Sequence, residues 1–330
     1  MISIILPVYN GTEFLKFALD SVRTQTYPDF ECICIDDGSS DGSREVVRRV
    51  ADEDSRFRLI AQENQGVAAA RNRGIEEACG DFITFLDQDD ALAPDALRRM
   101  LTVAEDTGCE VVAAAISEFI SGKTVETSED GAGEVAVSSS PFEDFFGVGR
   151  RPCVKVAVWG KLYAKSALKN IAFPVGVFGA DDYVFTARLF SVIDRYARID
   201  EPLYLYRMHE NNVTMQMPMR YIMGMLQSRE IVWNEVLKNS DRLGAFRISV
   251  CRRYGKDMLS WAIKKTCRNQ YDKSELEYLR QLVSRLRREG VINSLTIKDA
   301  IKCELFLHGC NKMLRLLFPS LFRRKSSCKR

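Results

Sequence analysis

Apolar runs and helical repeats alternate along the first 115 residues. ISIILPV (2–8) is an unbroken apolar stretch, the pattern of a strand covered on both faces of a parallel sheet. Phe14, Leu15, Ala18 and Val22 then recur at helical spacing, with Asn10 placed as their N-cap. ECICID (31–36) predicts a second strand, and the turn cluster DGSSDGS leads into a helix through Val46, Val47 and Val50. FRLIA (57–61) predicts a third strand. GVAAARNRGIEEACG (66–80) reads as an Ala-rich helix that Gly80 is placed to stop. DFITFL (81–86) is the fourth strand, and Pro94 suits the first helical position of PDALRRMLTVAED before a strand at EVVAAA (110–115). This rhythm predicts an α/β fold, a mainly parallel sheet with helices on both faces. Ligands in such sheets bind beyond the carboxyl ends of the strands.

The later pattern is less regular. Residues 121–150, rich in Ser, Gly and acids, predict a surface excursion, and VKVAV (154–158) predicts a strand leading into WGKLY. A helix is expected from about Asp181 through YVFTARLFSVI, after the Gly-containing FPVGVFGADD. From about residue 217 the signal is helical and basic. The predicted organisation is an α/β domain over 1–215, with halves 1–115 and 116–215, and a helical C-terminal extension over 216–330.

Composition changes this picture in few places. Hydrophobic content of 46% and charged content of 28% are those of an ordinary globular chain. No stretch reaches the roughly 18–20 apolar residues that span a bilayer. MISIILPVYNG lacks a basic n-region and cleavage site, so a cytosolic protein is expected. Ten scattered cysteines predict buried thiols instead of a disulfide framework, and two histidines without partners at ligand spacing argue against zinc. Residues 1–110 carry 11 Lys/Arg against 22 Asp/Glu, whereas residues 220–330 carry 25 against 10. The basic end, with the amphipathic IKCELFLHGCNKMLRLLF (301–318), suits either docking on the anionic inner face of a membrane or a helical cap with a basic tail. It carries no nucleic-acid module or aromatic interleaving, which argues against a nucleic-acid partner.

The candidate chemistry sits at strand ends. Asp36 and Asp37 end the second strand, and FLDQDD places Asp87, Asp89 and Asp90 after the fourth. Three acids this close repel one another unless a cation bridges them. A divalent cation held by carboxylates and substrate phosphates is the simplest device for stabilising a leaving diphosphate. Asp87-Gln88-Asp89 fits that device as a DxD motif, and Asp90 supports its neighbours or caps the next helix.

LPVYN (6–10), IDDGSSDGS (35–43), NQGVAAARNRG (64–74) and FLDQDD (85–90), in this order and spacing, resemble the nucleotide-sugar domain of family 2 glycosyltransferases. WGKLY (159–163), FPVGVFGADDYVF (173–185) and EPLYLYRMHENNVT (201–214) resemble acceptor-side motifs of bacterial polysaccharide-synthesising members. The resemblance implies the GT-A fold. It also implies a metal-dependent, inverting transfer from a nucleotide sugar, a UDP-sugar by preference, to a glycan or lipid-linked acceptor, with Mg²⁺ or Mn²⁺ as cofactor. It makes Asp89 the direct metal ligand and has Asp87 reach the ribose, the metal or a metal-bound water. Pro7, Tyr9, Asp36, Asp37, Arg71 and Gln88 fall on the donor side: Tyr9 to stack on the base, Asp37 to accept from a uracil-type imide, and Arg71 to contact the diphosphate. Asp182 becomes the general base, with Asp181, where the family usually has Glu, as the alternative or supporting acid. Trp159 and Lys161 are candidates for the acceptor pocket, and His209 for a place near the metal. The rival readings lack their signatures. No GxGxxG follows the first strand as a dinucleotide enzyme requires, nor the Gly-rich basic loop of a nucleotidyltransferase. A non-catalytic sugar-nucleotide-binding protein remains the alternative, and intact Asp87, Asp89 and Asp182 argue against it.

Overall fold

In the computed structural model, residues 1–120, 133–148, 153–210, 212, 219–237, 240–246, 254, 273–288 and 302 are described. Four parallel strands form one wing of the sheet: β1 (Ile2–Val8), β2 (Phe30–Asp37), β3 (Phe57–Gln62) and β4 (Phe82–Phe85), in the order β3-β2-β1-β4. Helices α1 (Thr12–Arg23), α2 (Ser43–Glu53) and α3 (Val67–Glu77) make the crossovers. Period-two alternation sorts the side chains of β1. Ile2, Ile4, Leu6 and Val8 enter the core packed under α1, while Ile5 enters the opposite core with Ile33, Ile35 and Phe85.

The same sheet continues past β4 through β8 (Lys161–Ala164), β6 (Val111–Phe119), β9 (Tyr196–Arg207) and the two-residue β5 (Ala91–Leu92). β8 runs antiparallel to both β4 and β6, so the sheet is mixed. Helix α4 (Ala96–Thr107) joins β5 to β6, and the short β7 (Val135–Ser138) pairs with β9. Helices α5 (Pro141–Phe146) and α6 (Asp181–Phe190) cover the second core, and α7 (Met219–Val232) packs on α6. Helix α8 (Lys273–Arg288) is tied to α7 through Glu230, which accepts from Tyr278 at 2.7 Å and Arg285 at 2.5 Å.

Several local expectations are corrected. Asn10 does not cap α1. It adopts a left-handed conformation (φ 46°), spends its side chain on Ser40, and leaves Gly11 at the cap. Helix α3 ends at Glu77, short of Gly80, and α4 starts at Ala96, two residues after Pro94. Residues 154–158 are not a strand, because their polar backbone groups are claimed by side chains. The Val158 N–H donates to Asp182, Val156 O accepts from Thr186, and Ala157 O accepts from Lys161. The expected surface excursion holds β7 and a buried aromatic helix, since Phe142, Phe145 and Phe146 of α5 pack in the core. Cys32, Cys34 and Cys109 are buried thiols, whereas Cys79 and Cys153 are exposed. The 301–318 segment, apart from Lys302, and the basic tail lie outside the described residues.

Candidate active site

The loops that follow β1, β2 and β4 are bonded to one another. Asn10 donates its N–H to Ser39 Oγ at 3.1 Å, and Gly11 donates to Ser43 Oγ at 2.9 Å. Gln88 crosses from the DxD loop to clasp Tyr9 at both backbone groups. Its Oε1 accepts the Tyr9 N–H at 2.9 Å, and its Nε2 donates to Tyr9 O at 3.0 Å. Gly11 makes room for that clasp, because a Cβ there would overlap the Gln88 amide. The Tyr9 backbone is thereby fixed while its side chain stays exposed, and Pro7 lies buried within β1.

The two acids that end β2 hold loops. Asp36, fully buried, pairs with Arg44 at 2.6 Å and accepts the Ser39 N–H at 3.3 Å. Asp37 accepts from Gln62 Nε2 at 2.8 Å and from the N–H groups of Gln65 and Gly66 at 2.9 and 2.8 Å. It thus stitches the β3–α3 loop to β2. Both carboxylates are placed by protein donors.

Arg71 occupies the centre. It is 4% exposed and projects from α3 between three carboxylates, with Nη2 2.8 Å from Asp87 and Nη1 2.9 Å from Asp181 and 2.7 Å from Asp182. Asp181 and Asp182 open α6, where the positive end of the helix dipole also favours acids. The adjacent Asn72 exchanges two hydrogen bonds with the Phe173 backbone, at 3.0 and 2.8 Å, so α3 grips the segment leading to α6. Burial pushes the Asp182 carboxyl up to about 7; Arg71 pulls it down, and Asp181 and Asp87 push it up again. An acid poised there has the affinity for protons that a general base working near neutrality needs.

Asp89 and Asp90 face the other way. Asp89 Oδ2 lies 2.9 Å from His209 Nε2, and the imidazole packs on Phe14 with 4.6 Å between ring centroids. Asp90 accepts from the Tyr204 hydroxyl at 2.7 Å and from the Arg207 N–H at 2.8 Å, which anchors the DxD loop to β9. Burial raises the Asp89 carboxyl, and the charge of Asp87 adds to the rise. Asp90 goes up to about 8 by burial and then by both neighbouring acids. Among the described residues no three acid, His or Cys side chains stand together as a ready cation cage. The donor set nonetheless fits a divalent cation. Asp89 and Asp87 offer oxygen ligands whose charges oppose one another, and His209 Nε2 stands 2.9 Å from Asp89. One or two carboxylates plus substrate phosphates is the usual provision for Mg²⁺.

Trp159 stacks on Tyr204 (centroids 4.6 Å apart, planes 14° apart) and on Tyr206 (5.2 Å, 18°), so much of its ring is spent on β9. Lys161 is 3% exposed; its ammonium donates to Ala157 O, and burial lowers it to about 8 against the opposing pull of Asp182. The structure brings Arg71, Asp87, Asp181 and Asp182 into direct contact and sets Asp89 against His209. It adds residues not singled out from the sequence: Gln62, Asn72, Phe173, Tyr204 and Arg207. Of these only Tyr204 left a signal, its alternation with Tyr206 in YLYR placing both on one face of β9.

A sheet with this order, whose strand ends carry a DxD loop facing an acid pair at a helix start, is the nucleotide-sugar transferase architecture, GT-A. The sequence profile of glycosyl transferase family 2 matches residues 3–172, and the chain belongs to that family. It is 33% identical over 219 residues to the provisionally named glycosyltransferase EpsH of Bacillus subtilis, a match covering 64% of this chain and 62% of EpsH. It thus spans less than two thirds of that relative. It is 26% identical over 254 residues to the GalNAc(5)-diNAcBac-PP-undecaprenol beta-1,3-glucosyltransferase of Campylobacter jejuni, covering 73% of this chain and 77% of the relative. The fold is shared with S. aureus TarS 1–349 in complex with UDP-GlcNAc, at a TM-score of 0.71 and 17% identity over 96% of this chain and 91% of TarS 1–349.

Proposed function

We propose that this chain transfers a glycosyl unit from a UDP-sugar to a hydroxyl of a glycan or lipid-linked acceptor, in a single metal-dependent displacement that inverts the anomeric carbon. The observation that carries the reading is Arg71, which joins the first acid of the DxD loop to the acid pair of α6. That contact sets a diphosphate-side group and a base-side group on one rigid unit, as a displacement between two substrates requires.

Tyr9 stacks on the uracil, with Pro7, Asp36, Asp37 and Gln88 shaping the base and ribose side. Asp89, with Asp87 and His209, would hold Mg²⁺ or Mn²⁺, which when bound supplies positive charge to the departing diphosphate. Arg71 adds charge on the same side. The acceptor hydroxyl gives its proton to Asp182 while its oxygen bonds to the anomeric carbon and the bond to the diphosphate breaks, releasing UDP. Asp181 supports Asp182 through their shared Arg71, and Trp159 and Lys161 back the acceptor side. The UDP-GlcNAc complex of the fold neighbour TarS and the undecaprenol-linked substrate named for the C. jejuni relative support the donor and acceptor classes. No helix among the described residues is long and apolar enough to cross a membrane. Peripheral docking through the basic C-terminal region would bring the chain to a lipid-linked acceptor.

Asp182→Asn tests the base. Binding of UDP with Mn²⁺, followed by thermal shift, should survive, while UDP release from a panel of UDP-sugars falls by about 10²–10⁴-fold. Asp89→Ala should lose turnover and metal-dependent UDP binding together. Stabilisation of the unsubstituted chain by GDP, CDP, dTDP or NAD in place of UDP would overturn the donor assignment.

A further inference from the structure

Helix α7 lies beyond the segment matched by the family profile, yet it packs on α6 and on the residues that lead into it. Two glycines set the approach. Gly179, two residues before Asp181, has φ 68°, and a Cβ on it would overlap the Tyr221 ring. Gly224, one turn further along α7, presents bare backbone to Phe178, whose carbonyl oxygen a Cβ would strike. Each backbone thus receives a group from the other, and the register of α7 on the 173–180 segment is fixed. Two cation–π contacts flank this joint: the Arg220 guanidinium 3.9 Å over Phe178, and Arg229 4.9 Å over Tyr183, the residue after the proposed base.

Tyr221 is the consequence. Its half-buried ring rests on the backbone that leads into α6. Burial raises its hydroxyl above the ordinary range, and the charges of Asp182 and Asp181 raise it further against Arg229. The phenol therefore lies within the field of the two carboxylates that the proposed transfer uses. A partly exposed aromatic seated on the backbone that leads to the proposed base has two capacities. Its face takes the apolar side of a sugar ring, and its hydroxyl exchanges hydrogen bonds with sugar hydroxyls.

We infer that Tyr221 is an acceptor-binding residue, and that α7 completes the acceptor side of the site by seating the terminal pyranose of a glycan against Asp182. The assignment presupposes the glycosyl transfer proposed for this chain and adds to it the element that selects the acceptor.

The test uses the full chain with Mn²⁺, a panel of UDP-sugars, and the p-nitrophenyl β-glycosides of glucose, galactose, N-acetylglucosamine and N-acetylgalactosamine as acceptors. Tyr221→Ala should bind UDP within twofold of the parent and keep its slow hydrolysis of UDP-sugar to water. It should lose at least tenfold in kcat/KM for the glycoside that accelerates UDP release, with most of the loss in KM. Tyr221→Phe, which keeps the ring, should return to within threefold of the parent. Loss of UDP affinity in Tyr221→Ala would place the residue on the donor side and overturn the inference. Unchanged acceptor kinetics would overturn it too, as would a parent that turns over UDP-sugar but that none of the four glycosides accelerates. A parent that neither binds UDP nor turns over any UDP-sugar overturns the transfer reading itself, and the role of Tyr221 falls with it.

Discussion

Arg71→Met should destabilise the protein steeply at pH 8 and mildly at pH 5. The substitution keeps an apolar stem of similar length and removes the one cation that three carboxylates share at 2.7–2.9 Å. The Arg71 side chain is 5% exposed and that of Asp181 4%, so for this pair solvent cannot replace the lost charge. Breaking a buried ion pair by removing one partner costs about 3–5 kcal/mol. The acids have an escape, which is to protonate. For a carboxyl that folding forces to stay protonated, the cost is about 1.4 kcal/mol for each pH unit above its ordinary pKa near 3.8. At pH 5 that comes to roughly 1.6 kcal/mol, and it falls on Asp181 alone, because Asp182 is already protonated there and Asp87 is 28% exposed to water. At pH 8 the same route costs more than the ion pair contributed, and the loss should approach the full ~3–5 kcal/mol.

The sign agrees with the parent protein. The Asp182 carboxyl is held up to about 7, so its unfavourable contribution to stability grows as pH rises through the interval from about 4 to 7 and is constant above it. Removing Arg71 extends that interval upward. Urea unfolding followed by tryptophan fluorescence at both pH values, without ligand, measures the difference. A loss equal at pH 5 and pH 8 would refute the electrostatic account and leave Arg71 as a packing residue against Phe173, over which its guanidinium lies at 5.4 Å.

Turnover should show an acid limb set by Asp182. With its carboxyl pushed up to about 7, the logarithm of kcat/KM for a UDP-sugar should rise with a slope near one up to about pH 7 and level above it, and a flat profile from pH 5.5 to 7.5 would remove Asp182 as the base. Gly11→Ala should cost about 1–3 kcal/mol in thermal unfolding, because the added methyl overlaps the Gln88 amide. Most of that cost should vanish in the Gly11→Ala/Gln88→Ala pair, so additive losses would show that the clasp on Tyr9 is not what the glycine accommodates.

The first wing of the sheet was legible because its information is local. Buried parallel strands announce themselves as continuous apolar runs, and ISIILPV and ECICID needed no partner to be recognised. The ends of elements were harder. Asn10 has the chemistry of a cap, but two serines on the next loop, Ser39 and Ser40, compete for it and win. The irregular course of 154–158 could not be read from VKVAV. What unmakes that strand is a set of bonds to Asp182, Thr186 and Lys161, the first two more than 20 residues away. The site was legible as residue types at strand ends and illegible as a geometry. Arg71 lies 110 and 111 positions from Asp181 and Asp182, and no local pattern says that one guanidinium will serve both and Asp87 as well. Gln88 was legible as a donor-side residue of the DxD motif but not as the bolt between two loops.

Asn72 and Arg71 are neighbours on one helix, yet one grips the backbone at Phe173 and the other the acids at 181 and 182. This bears on engineering. A natural way to exchange acceptor specificity between relatives is to cut after the first nucleotide-binding strands and graft a foreign second half. Such a graft would divide the two partners of a joint whose halves are bonded to one another. Chimeras should therefore be designed with α3 and the 173–182 segment taken from the same parent, even though about a hundred residues separate them along the chain.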